Sequence, residues 1–202
     1  MNTSHQNIGA KPSGVTGLLA GMGMNLIHAS QYRRIIKKHA VPLLETECPG
    51  NILDIGCGGG KTVQLFSALL PGANIYGLDH SLEMVELSGR VNRRAVSEDR
   101  VKLIQGDVRH LPFPDGHFNL ATAFDTVNFW TAFDTAISEI LRTLKKGGVF
   151  MIVNAFPREG TRWWDFVKFK NELEYLEALI TRGFSRCEAH FEKDTIVVIA
   201  EK

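Results

Sequence analysis

Between Asn51 and Thr62 the chain reads NILDIGCGGGKT. An apolar run, Ile52-Leu53-Asp54-Ile55, opens into glycines, then a lysine and a threonine. Glycine loops between a strand and a helix hold ligands through backbone N–H groups, and three such loops compete here. The phosphate-cradling G-x-x-x-x-G-K-[ST] pattern matches at Gly60-Lys61-Thr62, but its first glycine falls on Ile55. The dinucleotide pattern G-x-G-x-x-G starts at Gly56 and Gly58 but needs a glycine at Lys61. Acid-x-G-x-G-x-G fits throughout, with Asp54, Gly56, Gly58 and Gly60, and leaves Cys57 as a small filler in the loop.

Two further acids narrow the ligand. Asp79 closes an apolar run, where a carboxylate can accept from both hydroxyls of a ribose. Asp107, in Gln105-Gly106-Asp107-Val108, can accept from the exocyclic amine of adenine while Val108 lies against the ring. A nucleoside is implied, and the failed third glycine together with Asp107 speaks against a nicotinamide dinucleotide.

These residues need a scaffold of strand ends. The pattern predicts strands at 51–55, 74–78, 101–105, 118–124 and 149–154, with helices at about 61–70, after Ser81, and at 132–144. Gly147-Gly148 is expected beyond the end of that last helix. A helix over 30–40 turns Ile35 and Ile36 inward and is limited by Pro42; another starts at Asn171, with Glu174 three residues on, and closes at Gly183. Segments 184–191 and 195–201, joined at Glu192-Lys193-Asp194, form a terminal hairpin. Alternating strands and helices predict a parallel sheet covered on both faces, with an antiparallel addition at the end.

The chain has 202 residues, 44% hydrophobic and 22% charged, enough for a single α/β domain. A formal net charge of +1 argues against a nucleic-acid binder, and the clusters Arg33-Arg34/Lys37-Lys38 and Arg90/Arg93/Arg94 are read as solvated helix faces. Cys48, Cys57 and Cys187 form no CxxC pair, so neither a zinc site nor a disulfide framework is expected, and free thiols suit a cytoplasmic protein. No membrane span is expected; the apolar stretch 15–29 lacks a clean cleavage signature and is not read as a signal peptide.

Four motifs stand in order: Asp54 to Gly60, GLDHS from Gly77, GDVRHLPFPDGHFNLATAF from Gly106, and ILRTLKKGGVFMI from Ile140. With them the chain resembles a class I S-adenosylmethionine-dependent methyltransferase. It is most similar to the small-molecule branch that includes the ubiquinone and menaquinone biosynthesis enzymes. The resemblance implies a Rossmann-like, doubly wound, mostly parallel seven-stranded sheet with a C-terminal antiparallel hairpin. It implies S-adenosyl-L-methionine as cofactor, S-adenosyl-L-homocysteine as product, and a small-molecule methyl acceptor. In that reading Gly56, Cys57 and Gly58 approach the methionine part, Asp54 orders the loop and helps hold the amino group, and Asp79 takes the ribose. His80 flanks the adenine, Gly106, Asp107 and Val108 hold it, and Phe124 and Asp125 border the methionine end. Two departures are His80, where a hydrophobic residue is common, and Asn119, where the family usually has Asp; that position is read as structural.

No catalytic base is expected to be legible, because methyl transfer mainly needs an aligned nucleophile and exclusion of water. The Asn/Asp-Pro-Pro-aromatic signature of nucleobase amine methylation is absent after the fourth strand, no Pro-Cys nucleophile occurs there, and Asp125 and Asn154 could supply only part of a metal-ligand set. Acceptor candidates are His28, Tyr32, Asn128, Trp130 and Trp163, with the arm 1–45 as a possible lid on the sheet domain 51–202. Methylation of RNA or protein, and a non-catalytic cofactor-binding regulator, stay open as alternatives.

Overall fold

The computed structural model describes residues 29–44, 50–161 and 163–202. Its centre is a seven-stranded sheet in the order β3-β2-β1-β4-β5-β7-β6. The strands are β1 Asn51–Ile55, β2 Asn74–Asp79, β3 Val101–Gln105, β4 Phe118–Phe124, β5 Leu144–Ala155, β6 Arg186–Phe191 and β7 Thr195–Glu201. β1 to β5 pair in parallel, while β7 runs antiparallel to β5 and to β6. Every residue of β4 is buried, as expected for a central strand covered on both faces.

Helices α1 Ala29–Ile35, α2 Val41–Leu44, α3 Lys61–Leu69, α4 Leu82–Val91, α5 Arg93–Ser97, α6 Phe133–Thr143 and α7 Glu172–Ile180 cover the sheet. Tyr32, Ile35, Ile36, Val63, Phe66 and Ala95 build the core on one face; Phe133, Ile137, Ile140, Tyr175 and Leu179 build it on the other. Ser81 caps α4 by accepting from the Met84 amide, and Asn171 caps α7 by accepting from the Glu174 amide. Among the described residues no helix is long and apolar enough to cross a membrane.

The sequence expectations need two corrections. Pro42 does not end the first helix: a π-helical turn, Ile36–Ala40, precedes it, and the Val41 amide donates to the Ile36 carbonyl. The shifted register accommodates a residue that has no N–H and crowds the preceding turn. The second correction concerns Gly147-Gly148, which is not a helix cap. The α6 helix stops at Thr143, and β5 starts at Leu144, paired with Phe118, before an irregularity that resumes at Leu120 opposite Val149. Gly147 has φ of 72° there, and Lys202 clamps the pair, accepting from Gly147 and donating to Gly148.

Candidate active site

The strand order reverses between β1 and β4, and crevices at such a point receive ligands at the carboxyl ends of the strands. The β1–α3 loop fills this place. Its Gly56 and Cys57 amides both donate to the Leu78 carbonyl, at 2.7 and 3.0 Å. Gly56, Gly58 and Gly60 all have positive φ. Their steric reasons differ: a Cβ on Gly60 would come 2.8 Å from Ser88 Cα, whereas one on Gly58 would meet none of the described residues within 4 Å. Gly60 is a packing glycine, and Gly58 faces open space where a ligand can approach the backbone. Cys57 is buried, and burial raises its thiol well above the ordinary range. It is the filler read from the sequence, not an exposed nucleophile.

Asp54 is buried at the end of β1, accepting from Thr122 Oγ1 at 2.9 Å and from Thr62 Oγ1. Burial pushes its carboxyl up to about 6; the two threonine hydroxyls oppose that rise and the nearby Asp79 charge adds to it. Asp79 is buried too, taking the Gly58 amide at 2.9 Å and the Ser81 amide at 3.0 Å on different oxygens. Oδ2 keeps a second acceptor site, while His80 approaches Oδ1. Asp79 therefore shapes the loop as well as offering itself to a ligand, a double role that the motif alone does not reveal.

Along β2 and β3, His80 places Nδ1 3.2 Å from Asp79 Oδ1 while remaining exposed. The Gly106 amide donates to the Asp79 carbonyl at 2.9 Å, and Val108 packs on the core edge. Asp107 is held by a partner the sequence reading missed. Arg109 reaches both its carboxylate oxygens, with Nη2 2.6 Å from Oδ2. The local D-x-R spacing was the signal for it.

Past β4, Asp125 has φ of 54°, a left-handed backbone that Asp tolerates better than most residues but at some strain. Three contacts fix it: its amide donates to the Val153 carbonyl, and its carboxylate accepts from the Ala155 amide at 2.5 Å and from the Tyr32 hydroxyl. Burial and the Asp125 charge raise the Tyr32 phenol far above its ordinary value, so it stays a donor. Phe124 is buried, its ring 5.0 Å from that of Tyr32. Phe124 thus supports Tyr32 from behind and forms no open wall. Tyr32 brings α1 to the site; of the arm 1–45 expected as a lid, residues 1–28 and 45, His28 among them, lie outside the described residues.

The acceptor candidates separate. Trp130 is only 9% exposed and stacks on Phe150 at 6.3 Å, so it belongs to the core. Asn128 accepts from the Lys168 amide at 3.0 Å and so ties the 165–170 segment to the end of β4. Trp163 is 57% exposed and packs 6.0 Å from Phe166, on the outer rim. The described geometry therefore does not bring Tyr32, Asn128, Trp130 and Trp163 into one wall. A residue read from the sequence only as part of an incomplete metal-ligand set joins the region instead. Asn154, fully buried at the end of β5, donates through Nδ2 to the Tyr175 hydroxyl at 3.0 Å, and its Oδ1 has no partner among the described residues. Asn119 is structural, accepting from the Asn51 amide at 3.0 Å and from Lys145 at 2.9 Å.

Asp54, Asp79 and Asp125 surround the glycine loop with carboxylates, an environment that suits a ligand carrying ammonium and sulfonium charges and repels a pyrophosphate. The methyltransferase-domain family profile matches residues 53–152. The demethylmenaquinone methyltransferase of Thermus thermophilus is 30% identical over 152 residues, covering 73% of this chain and 67% of that protein. The chain belongs to the class I S-adenosylmethionine-dependent methyltransferases. The fatty-acid O-methyltransferase of Mycolicibacterium smegmatis is 29% identical over 114 residues, 56% of this chain and 40% of that protein. A structure from Methanococcus maripaludis, assigned to S-adenosyl-L-methionine-dependent methyltransferases, shares the fold at a TM-score of 0.80 and 24% identity, covering 96% of this chain and 94% of that one. This methyltransferase chain spans 40% and 67% of the lengths of those two curated relatives. The family's cofactor is S-adenosyl-L-methionine, and the carboxylate-ringed loop fits it.

Proposed function

We propose that this chain transfers the methyl group of S-adenosyl-L-methionine to a small, largely apolar organic acceptor by in-line displacement. The observation that carries this is the Asp54–glycine loop–Asp79 assembly, with backbone open at Gly58 and carboxylates on either side. Bound there, the cofactor supplies an electrophilic methyl carbon on a sulfonium that departs as a neutral thioether. The chain's own residues do the rest. Asp79 takes the ribose hydroxyls while fixing the Gly58 amide, and Asp107, oriented by Arg109, faces the adenine amine with Gly106, Val108 and His80 beside it. Asp54 and Asp125 hold the methionine ammonium by charge, directly or through water. Tyr32 keeps Asp125 in place and, with Phe124 behind it, closes the α1 side to water.

No side chain on the described surface is required as a base if the acceptor carries its own lone pair or carbanion character. The relatives named for demethylmenaquinone and fatty acids support an apolar acceptor. So do the half-buried rings Phe156 and Phe169 on the segment after β5. We place the acceptor between Asn128 and the 156–170 segment, treat 1–202 as one methyltransferase domain with the arm 1–45 as its lid, and read the protein as cytoplasmic without a nucleic-acid partner. The test is transfer of label from methyl-labelled cofactor to separate panels of quinols, phenols, fatty acids, RNA and protein. Label should enter the extractable organic fraction. Label only in RNA or protein, or none despite bound S-adenosylhomocysteine, would overturn the reading.

A further inference from the structure

One face of α1 and the following π turn is a groove of about 410 Å³ lined by Ser30, Arg33, Arg34, Lys37 and Lys38. Residues 29–44 carry those four cations and no acid, in a chain whose net charge is only +1. Glu192 offsets part of this, lying 2.5 Å from Lys38 and 3.6 Å from Arg34. Arg33 and Lys37 have no acidic partner among the described residues, so the groove keeps a positive field.

Glu192 also fixes where the groove lies. It belongs to the β6–β7 turn, at the carboxyl end of β5, since Thr195 pairs with Ala155 and the Phe156 amide donates to the Asp194 carbonyl at 2.8 Å. On the other side of the same tip, Phe191 is 51% exposed and its ring lies 5.6 Å from Phe156, which lies 6.0 Å from Trp164. Trp163 and Phe166, the latter 39% exposed, continue this apolar rim, and Lys170 lies over the Trp164 ring at 5.1 Å. A basic groove and a row of exposed rings thus straddle one hairpin tip, beside the acceptor mouth.

We infer that this tip docks the protein on an anionic phospholipid surface, from which an apolar acceptor can be drawn. The inference deepens the proposed function and rests on it only for its purpose. A polyanion alone would satisfy the cations, and a protein partner alone the rings. A lipid interface satisfies both without a matched shape, because headgroup charge attracts Lys and Arg while aromatic side chains enter the interfacial layer.

Flotation of the full chain with vesicles of phosphatidylcholine, alone or with roughly one-third phosphatidylglycerol, tests it. The chain should float with the anionic vesicles and not with the neutral ones. Arg33→Gln with Lys37→Gln should weaken binding about 30-fold, from two lost surface attractions. Phe191→Ser should weaken it about tenfold, from one ring no longer buried in the interface. Equal binding to both vesicles, no effect of either variant, or loss with the charge variant alone would overturn the proposal. So would tighter binding of duplex RNA, or self-association through Phe191 in place of vesicle binding. S-adenosylhomocysteine titrations on the same samples report on the methyltransferase reading separately, so a failed flotation with intact binding defeats the docking surface alone.

Discussion

Replacing Asp54 by Asn should make the free protein more stable at neutral pH while spoiling the cofactor site. Burial raises the carboxyl from 3.8 to about 6, although Thr62 and Thr122 donate to it. A carboxyl whose folded value is raised contributes stability that is fully present below its unfolded value, about 4, and is lost as pH rises through about 6. At roughly 1.4 kcal/mol per pH unit, Asp54 forfeits about 3 kcal/mol between pH 4 and pH 7. Asn cannot ionise, and its amide keeps an oxygen for one threonine while the other hydroxyl rotates to accept. The unfolding free energy of Asp54→Asn minus that of the parent should therefore rise by about 3 kcal/mol over this window, because titrations not coupled to Asp54 cancel in the difference. Urea titrations of both proteins at several pH values give the quantity directly. S-adenosylhomocysteine binding should fall in the variant above about pH 6, where the parent carboxyl is ionised. A flat difference, or one that falls with pH, would show that burial does not disfavour the Asp54 charge in the fold.

Two glycines in one loop should respond oppositely. Gly60→Ala forces a Cβ to within 2.8 Å of Ser88 Cα and should cost several kcal/mol of stability in urea, on the order of 2–4. Gly58→Ala meets no neighbour and should cost only about 1 kcal/mol for its φ of 50°, yet weaken S-adenosylhomocysteine in calorimetry. Asp79→Ala should weaken that ligand by about 1.5–3 kcal/mol, and Asp107→Ala by less, since Arg109 already shares its carboxylate; normal binding by folded Asp79→Ala would remove the ribose role. Tyr32→Phe should lose about 1.5–3 kcal/mol of stability, the scale of a hydrogen bond to a charged acceptor, and an unchanged urea midpoint would deny the Tyr32–Asp125 link.

Local signals were legible wherever the chain states them locally. Ser81 before α4, Asn171 with Glu174 at α7, the limits of β3 and the turn at Glu192-Lys193-Asp194 follow from caps, alternation and turn chemistry, and the structure has them. The glycine loop could be placed for the same reason, because its spacing is a backbone requirement. What escaped depends on distant partners. Gly147 looks like the end of a helix until Lys202 and Phe118 are seen beside its strand. Trp130 stands where acceptors approach, but Phe150 draws it into the core. Asn154 has no local pattern, and its unmet Oδ1 arises only from packing under Tyr175. Pro42 was read as a stop, and the π turn that absorbs it has no distinctive spelling.

The central claim is that the β1–α3 loop receives S-adenosyl-L-methionine, and calorimetric titration of the full chain with S-adenosylhomocysteine, beside NAD and ATP, tests it most directly. The account predicts one site for S-adenosylhomocysteine, weakened by Asp79→Ala, and no comparable heat from the other two. Tighter binding of NAD or ATP, or S-adenosylhomocysteine binding that ignores Asp79→Ala, would contradict it.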